Sequence, residues 1–133
     1  MKANILKLIN KLHFVSSKLH MFHWNVIGKD FLSYHEFFEE SYKELLEQKD
    51  KLAEYLRFTD EKAVINFSEI ERMSADFTLP EKAEGMLKDA LKDYKSLLKD
   101  YEELVMDPVL EAIVSDILQE IEKKIYFIQS ILG

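Results

Sequence analysis

Apolar residues recur at three- and four-residue steps along four long stretches of this sequence, and few helix-breaking residues interrupt them. Only three glycines and two prolines occur among the 133 residues. A repeat of this period places apolar side chains on one face of an α-helix, and another element must cover that face. The pattern therefore predicts an all-α protein in which four long amphipathic helices pack around one core.

The ends of the first two helices can be placed from capping and turn-forming residues. The first helix carries apolar side chains over positions 5–22, and Gly28 is expected to end it as a C-terminal cap. Asp30 is the predicted N-cap of the second helix, which runs to about Arg57. The connection between the first two long helices is therefore short.

The segment 59–79 lacks long-range apolar periodicity, so it is predicted to be a long crossover. Within it, Ser68 and Glu71 could form a capping box on a short helix around positions 70–73. The crossover separates the second long helix from the third.

Prolines mark the starts of the last two long helices. Pro80 is expected in the first turn of the third helix, and Asp107 followed by Pro108 is a cap-then-proline signal for the fourth. The three connections are thus short, long and short in order. That order is typical of a ferritin-like four-helix bundle with one long crossover containing a short helix, rather than of an up-and-down bundle.

The composition excludes several classes of protein. The 18 Lys and Arg residues against 25 Asp and Glu give a formal charge of −7, which repels a phosphate backbone. Cysteine is absent, so a metal would need histidine or carboxylate ligands, which favour harder metals such as iron. No membrane-spanning stretch and no signal-peptide pattern are found. We expect one cytoplasmic domain over residues 1–133.

Two pairs of potential metal ligands lie on the second helix. His35 and Glu39 are four residues apart, and so are Asp50 and Glu54, which makes the members of each pair neighbours on the helix surface. All four project within an arc of roughly 100°. His35 and Asp50 are nevertheless about 22 Å apart along the helix axis, at about 1.5 Å per residue. One ion cannot touch both pairs in one chain.

A site that used both pairs would need a second chain. If two copies of the second helix packed antiparallel across a two-fold axis, the acidic pair of one chain could meet the His35 pair of the other, and two sites would form. His23, near the end of the first helix, could meet His35 across the Gly28 turn. Mixed histidine and carboxylate ligands suit ferrous iron, although zinc or manganese would also be accepted.

Other polar and aromatic residues in this region are given structural interpretations. His13 and His20 lie off the apolar stripe and are expected at the surface. Trp24 and Tyr42 are expected to pack in the core or in an interface. Four glutamates of the second helix are expected to form a solvated face: Glu36, Glu40, Glu44 and Glu47.

The segment from Leu19 to Leu56 resembles the Dps family, the bacterial miniferritins that protect DNA during starvation. The family pattern has a His before Trp-Asn, a second His twelve residues on, an acid four later, and then Asp and Glu four apart. The matching residues here are His23, His35, Glu39, Asp50 and Glu54. The resemblance implies that the two histidines and the first acid bind iron together with the Asp and Glu of a neighbouring chain.

The resemblance also implies a homo-oligomeric shell of twelve subunits built from two-fold dimers. It implies oxidation of ferrous iron, preferentially by hydrogen peroxide rather than oxygen, and storage of a ferric mineral inside. Two departures stand out. Glu39 replaces the usual Asp, which lengthens that arm by one methylene, and the first helix begins close to Met1 where relatives often carry a lysine-rich extension for DNA. DNA binding is therefore not expected.

Further family positions and two alternative functions complete the sequence predictions. Asp107, Glu111 and Asp116 are candidates for a three-fold pore, and Tyr126 stands where many relatives have a second Trp. A ferritin with iron inside one bundle would need Glu-x-x-His pairs, and no Glu stands three residues before any of the four histidines. A structural or DNA-associated helical shell without ferroxidase activity stays open as the alternative.

Overall fold

The structure, a computed structural model, describes residues 2–133. These residues form five helices: α1 (Lys2–Asn25), α2 (Phe31–Phe58), α3 (Phe67–Ser74), α4 (Ala83–Glu102) and α5 (Pro108–Leu132). The bundle is formed by the four long helices, with α1 packed mainly on α2 and α4 mainly on α5. The short α3 lies in the crossover and packs on α1. The predicted all-α four-helix bundle with a helix in its long crossover is confirmed.

The core is built from one apolar face of each long helix. Its largest fully buried side chains include Phe22 of α1, Phe38 of α2, and Tyr94 and Tyr101 of α4. The rings of Phe22 and Phe38 meet edge to face with centroids 5.5 Å apart. Burial of an aromatic side chain contributes about 1.5–3 kcal/mol, so this pair holds α1 and α2 together close to the turn that joins them.

The turn between α1 and α2 differs from the prediction at two residues. α1 ends at Asn25, and Gly28 lies inside the turn with a φ of 96° instead of directly capping the helix. Asp30 precedes α2, but its φ is 65° and its side chain makes no capping hydrogen bond. Asp30 is thus the N-cap residue by position, as predicted, and its backbone oxygen accepts from the N–H of Tyr34 at 3.1 Å. Its side chain does not cap, because side-chain capping needs an extended backbone, whereas this tight reversal places Asp30 in the left-handed region that Asp tolerates.

The short helix α3 begins earlier than predicted. Its N-cap is Asn66, whose side chain accepts a hydrogen bond from the N–H of Glu69, so the predicted capping box of Ser68 and Glu71 is wrong. The backbone N–H of Asn66 also donates to Oδ1 of Asn10, a buried residue of α1, at 2.7 Å. This long-range hydrogen bond fixes where the crossover turns into a helix, and no local sequence pattern reveals it.

Of the two predicted helix starts, the one at Pro80 is wrong and the one at Pro108 is correct. Pro80 lies three residues before α4, whose N-cap is Lys82, so Pro80 is not in the first turn. Pro80 lies outside the helix and packs against Gly85 of α4, where an added Cβ would come within 3.1 Å of the proline Cβ. The start of α5 at Pro108, with Asp107 as N-cap, is confirmed.

Asp107 uses both carboxylate oxygens inside its own chain. One oxygen accepts from the N–H of Leu110 at 2.8 Å and the other from the hydroxyl of Tyr55 at 2.5 Å. The backbone hydrogen bond from Leu110, and next the one from Tyr55, hold the pKa of Asp107 below its usual range. Among the pore candidates, Asp107 is therefore committed to capping, while Glu111 and Asp116 are exposed.

The glutamates of α2 do not all face solvent. Glu36, Glu40 and Glu47 are exposed as expected, but Glu44 is half-buried, and that prediction is wrong. The reason is that α5 covers this side of α2, with Glu120 of α5 facing Glu44. Within residues 2–133, no helix combines the length and apolar character that crossing a membrane requires.

Candidate metal centre

His23 and His35 meet at the junction of α1 and α2. His23 lies in the last turn of α1, and His35 lies one turn into α2. Their rings stack with centroids 3.8 Å apart and with 22° between the ring planes. Nδ1 of His23 lies 2.8 Å from the backbone oxygen of His35, and Nδ1 of His35 lies 2.8 Å from the backbone oxygen of His23. The two residues are thus joined by a reciprocal pair of hydrogen bonds.

These hydrogen bonds determine which ring nitrogen of each histidine can bind a metal. A carbonyl oxygen only accepts, so each Nδ1 carries a proton and donates it. Each neutral ring then keeps the lone pair on Nε2, which is the atom free to bind a cation. Hydrogen bonds from the second ring nitrogen orient histidine ligands in metalloproteins in the same way. The pair is arranged for coordination before any metal arrives.

Glu39 completes a group of three possible ligands. One ligand atom each from His23, His35 and Glu39 lies within 4.8 Å of the other two, and all three residues are half-buried. In the part of the chain that the structure describes, no other three His, Asp or Glu residues come together so closely. Two imidazoles and one carboxylate suit borderline divalent cations such as ferrous iron.

Lys43 forms an ion pair with the Glu39 carboxylate. Its Nζ donates to Oε1 of Glu39 at 2.7 Å, one helical turn along α2. This hydrogen bond, followed by the charge of the same ammonium group, lowers the pKa of Glu39. The carboxylate is therefore ionised at neutral pH, and an incoming cation has to replace the ammonium group.

Substitution of Lys43 by glutamine is expected to raise the affinity for a divalent cation by about two- to threefold. The effect is small because an exposed ion pair is weak and screened by salt. Anaerobic calorimetry with ferrous iron or zinc measures it. Lys88→Gln, which breaks an exposed pair of the same spacing with Glu84 on α4, is the matched control and should change nothing. If Lys43→Gln bound the cation more weakly than the native protein, Lys43 would not compete with the cation for the Glu39 carboxylate.

Asp50 and Glu54 lie apart from this group within one chain. Both are exposed on α2, and neither is among the residues clustered around the two imidazoles. The structure thus brings together three of the five predicted ligands. The rise of the helix keeps Asp50 about 22 Å and Glu54 about 28 Å from His35, so a contribution of this pair from a second chain remains a prediction.

Comparison with known proteins connects this geometry to a family. A family model described as the ferritin-like domain matches residues 2–133. DNA protection during starvation protein 2 of Bacillus anthracis is 30% identical to this chain, over 100% of this chain and 99% of that protein. The chain belongs to the Dps family of ferritin-like proteins.

Solved Dps structures share its fold. Dps from Staphylococcus aureus superposes with a TM-score of 0.89 at 24% identity, covering 98% of this chain and 93% of that one. Dps from Vibrio cholerae O1, described as a member of a broad superfamily of ferritin-like diiron-carboxylate proteins, gives 0.85 at 22% identity, with coverage of 98% and 87%. These likenesses show the fold alone, and they confirm the ferritin-like arrangement of the Dps bundle.

An aromatic stack beside the histidine pair was missed by the sequence interpretation. The ring of His20 lies between those of Trp24 and Tyr42, with centroid distances of 4.2 Å and 4.1 Å. His20 is therefore half-buried rather than a simple surface residue. His13 is half-buried too, accepts from Nζ of Lys49 at 3.2 Å, and has its pKa lowered by burial and then by Lys49. The four-residue step from His20 to Trp24, which makes the two side chains neighbours on α1, was the available signal for the stack.

Large apolar side chains are exposed around the α1–α2 turn of this Dps-family chain. Trp24, Ile27 and Leu32 are 61%, 70% and 65% exposed, so Trp24 does not pack in the core of its own chain. A cluster of exposed apolar side chains typically marks an interaction surface. The cluster borders the histidine pair, because Trp24 follows His23 directly.

Proposed function

We propose that this Dps-family chain oxidises ferrous iron at sites shared between two chains, preferentially with hydrogen peroxide, and stores the ferric product inside a cytoplasmic shell of twelve subunits. The observation that carries the proposal is the reciprocal bonding of His23 and His35, which engages both Nδ1 atoms and leaves the Nε2 atoms for a metal, in two residues that cluster with Glu39. Iron is the substrate and the cargo of this site. We do not extend the proposal to DNA binding, because the chain has a net charge of −7.

The chemistry of the ligands supports iron oxidation. Neutral imidazole nitrogens bind ferrous iron, and carboxylate oxygens stabilise the ferric product, which is the harder ion. The three clustered ligands leave coordination positions open for the acidic pair of another chain and for the oxidant. Each ferrous ion gives up one electron, and hydrogen peroxide accepts two electrons and two protons, so one peroxide molecule oxidises a pair of ferrous ions and is reduced to two water molecules.

The surface of α2 supports pairing of two chains. If His35 of one chain faces Glu54 of the other, the two-fold axis crosses α2 midway between them, near positions 44–45. Leu46 lies next to this point and is 36% exposed. At about 100° per residue it projects within about 20° of His35, inside the arc that holds the proposed ligands. An antiparallel contact there would bury Leu46 and unite the two halves of each site.

A complementation experiment tests the shared site. A chain with His23→Ala and His35→Ala is mixed and reassembled with a chain that carries Asp50→Ala and Glu54→Ala. Each variant alone should lose fast peroxide-dependent oxidation, whereas each mixed dimer regains one of its two sites and about half of the native rate per dimer. Ferric absorbance after anaerobic ferrous loading measures the rate.

The matched control places all four substitutions in one chain and pairs that chain with the native one. A shared site predicts no complete site in this mixed dimer, while a site within one chain predicts that half of the activity survives. Verified mixed dimers of the two double variants that show no recovery would rule out the shared site.

A further inference from the structure

Six polar side chains from three helices lie together inside the bundle, away from the proposed iron ligands. We call them the inner polar cluster, in which Glu120 of α5 neighbours all the others except Lys124, which faces Glu44: Glu44 and Gln48 of α2, Tyr94 and Tyr101 of α4, and Glu120 and Lys124 of α5. Glu44 is nine residues from His35, which at about 100° per residue places it on the opposite side of α2. The cluster is therefore separate from the candidate metal centre.

Several atoms of the inner polar cluster are buried without a hydrogen-bond partner. They are Oε1 of Glu44, Oε1 of Gln48 and the hydroxyl groups of Tyr94 and Tyr101, and none has a partner within residues 2–133. Both tyrosines are 0% exposed, and Gln48 is 1% exposed. Buried polar groups in native proteins are almost always satisfied, by protein atoms or by internal water. These four atoms include both donors and acceptors, the combination that water can bridge.

Two carboxyl groups face each other at the centre of the cluster. Glu44 lies within hydrogen-bonding reach of Glu120, and Nε2 of Gln48 donates to Oε1 of Glu120 at 3.4 Å. Two adjacent carboxylates in a buried place disfavour each other's charge, so the pair holds a proton to a higher pH than a lone carboxyl group would. A single proton between them turns repulsion into a hydrogen bond.

The charged groups around the pair do not fully offset the repulsion between the two carboxylates. The cation that faces the pair is Lys124 of α5, which is buried and already bound to Glu40 of α2 at 3.3 Å. From α4 the pair is faced by the hydroxyl of Tyr94, whose own pKa burial raises further, so it stays neutral. Burial, opposed in part by Lys124, raises the pKa of Glu44 to about 7. Glu120 and Glu40 add to that rise.

We propose that Glu44 and Glu120 form a reversible proton-binding site inside each chain, joined by internal water to Gln48 and to the hydroxyl groups of Tyr94 and Tyr101. With the proton bound, the pair consists of one carboxyl group and one carboxylate joined by a hydrogen bond, and release of the proton leaves two carboxylates. The site needs no iron to operate. Storage of the ferric product, as proposed above, requires hydrolysis of the ferric ions, which releases more protons than the oxidation by peroxide consumes, and each chain can take up one of them here.

A proton count on the metal-free protein tests the site. Glu44→Gln should bind about one proton fewer per chain than the native protein between about pH 8 and about pH 6, because the raised pKa of Glu44 lies in that interval. Glu47→Gln removes an exposed carboxyl group of the same helix and should match the native count. Equal counts for Glu44→Gln and the native chain would overturn the proposal.

Two further measurements test the pairing of the carboxyl groups. Glu120→Gln should lower the midpoint of the Glu44 transition, since the charge of Glu120 raises it; an unchanged midpoint would show that no proton is shared. Infrared spectroscopy of the native protein should show a protonated carboxyl band that disappears as the pH rises through neutrality. Absence of that band at about pH 6 would also overturn the proposal, even if the variants fail to fold.

Discussion

Replacement of both His23 and His35 by alanine is expected to lower the rate of peroxide-driven ferrous oxidation by at least about a hundredfold. Loss of the groups that merely orient a histidine ligand costs about ten- to a hundredfold, so loss of two ligands costs more. The reciprocal hydrogen bonds make the pair a unit, since each ring is held by the backbone of the other residue. Stopped-flow absorbance of the ferric product, after anaerobic loading, measures the rate.

The control for this variant is His13→Ala. His13 is another half-buried histidine of α1, ten residues and about 15 Å from His23, and its ring bonds to Lys49 rather than to a ligand. Its replacement should leave the rate within about twofold of native. If the double variant oxidised iron at the native rate, the histidine pair would have no part in the reaction.

Truncation of Phe22 to alanine is expected to lower the free energy of unfolding by about 3–5 kcal/mol. The Phe22 ring is fully buried and meets Phe38 edge to face, so its removal leaves a cavity between α1 and α2. Because His23 follows Phe22 in the chain, the affinity for a divalent cation should fall as well. Urea denaturation at fixed protein concentration, with and without zinc, measures both effects.

Phe58→Ala provides a matched control for this truncation. Phe58 ends α2 and is 73% exposed, so the same change of side chain should alter the unfolding free energy by less than about 0.5 kcal/mol. A similar loss of stability in both variants would mean that the core around Phe22 is not packed as the structure has it.

The long helices could be predicted because each buries one periodic apolar face, and that periodicity is a local property of the chain. The helix ends were harder to predict, because tertiary contacts decide them. Asn66 rather than Ser68 caps α3, since a buried asparagine of α1 binds its backbone. Asp30 fails as a side-chain cap because the α1–α2 turn needs a left-handed backbone at that residue.

Only part of the candidate site could be predicted, because local spacing decides some of its contacts and tertiary structure decides the others. The neighbourhood of His35 and Glu39 follows from helical spacing, and the encounter of His23 with His35 follows from the short turn. The tautomers of the two rings depend on backbone carbonyl oxygens, whose positions no residue pattern gives. The burial of Glu44 was missed because a glutamate at the edge of an apolar face looks solvated until α5 is placed over it.

The reciprocal hydrogen bonds between the two histidines have a consequence for repeated turnover. Backbone carbonyls stay where the helices put them, so the rings have no reason to rotate or to exchange protons between their nitrogens when an ion departs. In the proposed function, many ions pass in turn through the same few side chains. The carbonyl oxygens hold both rings in one orientation, so we expect the pair to accept one ion after another without a rearrangement of its rings.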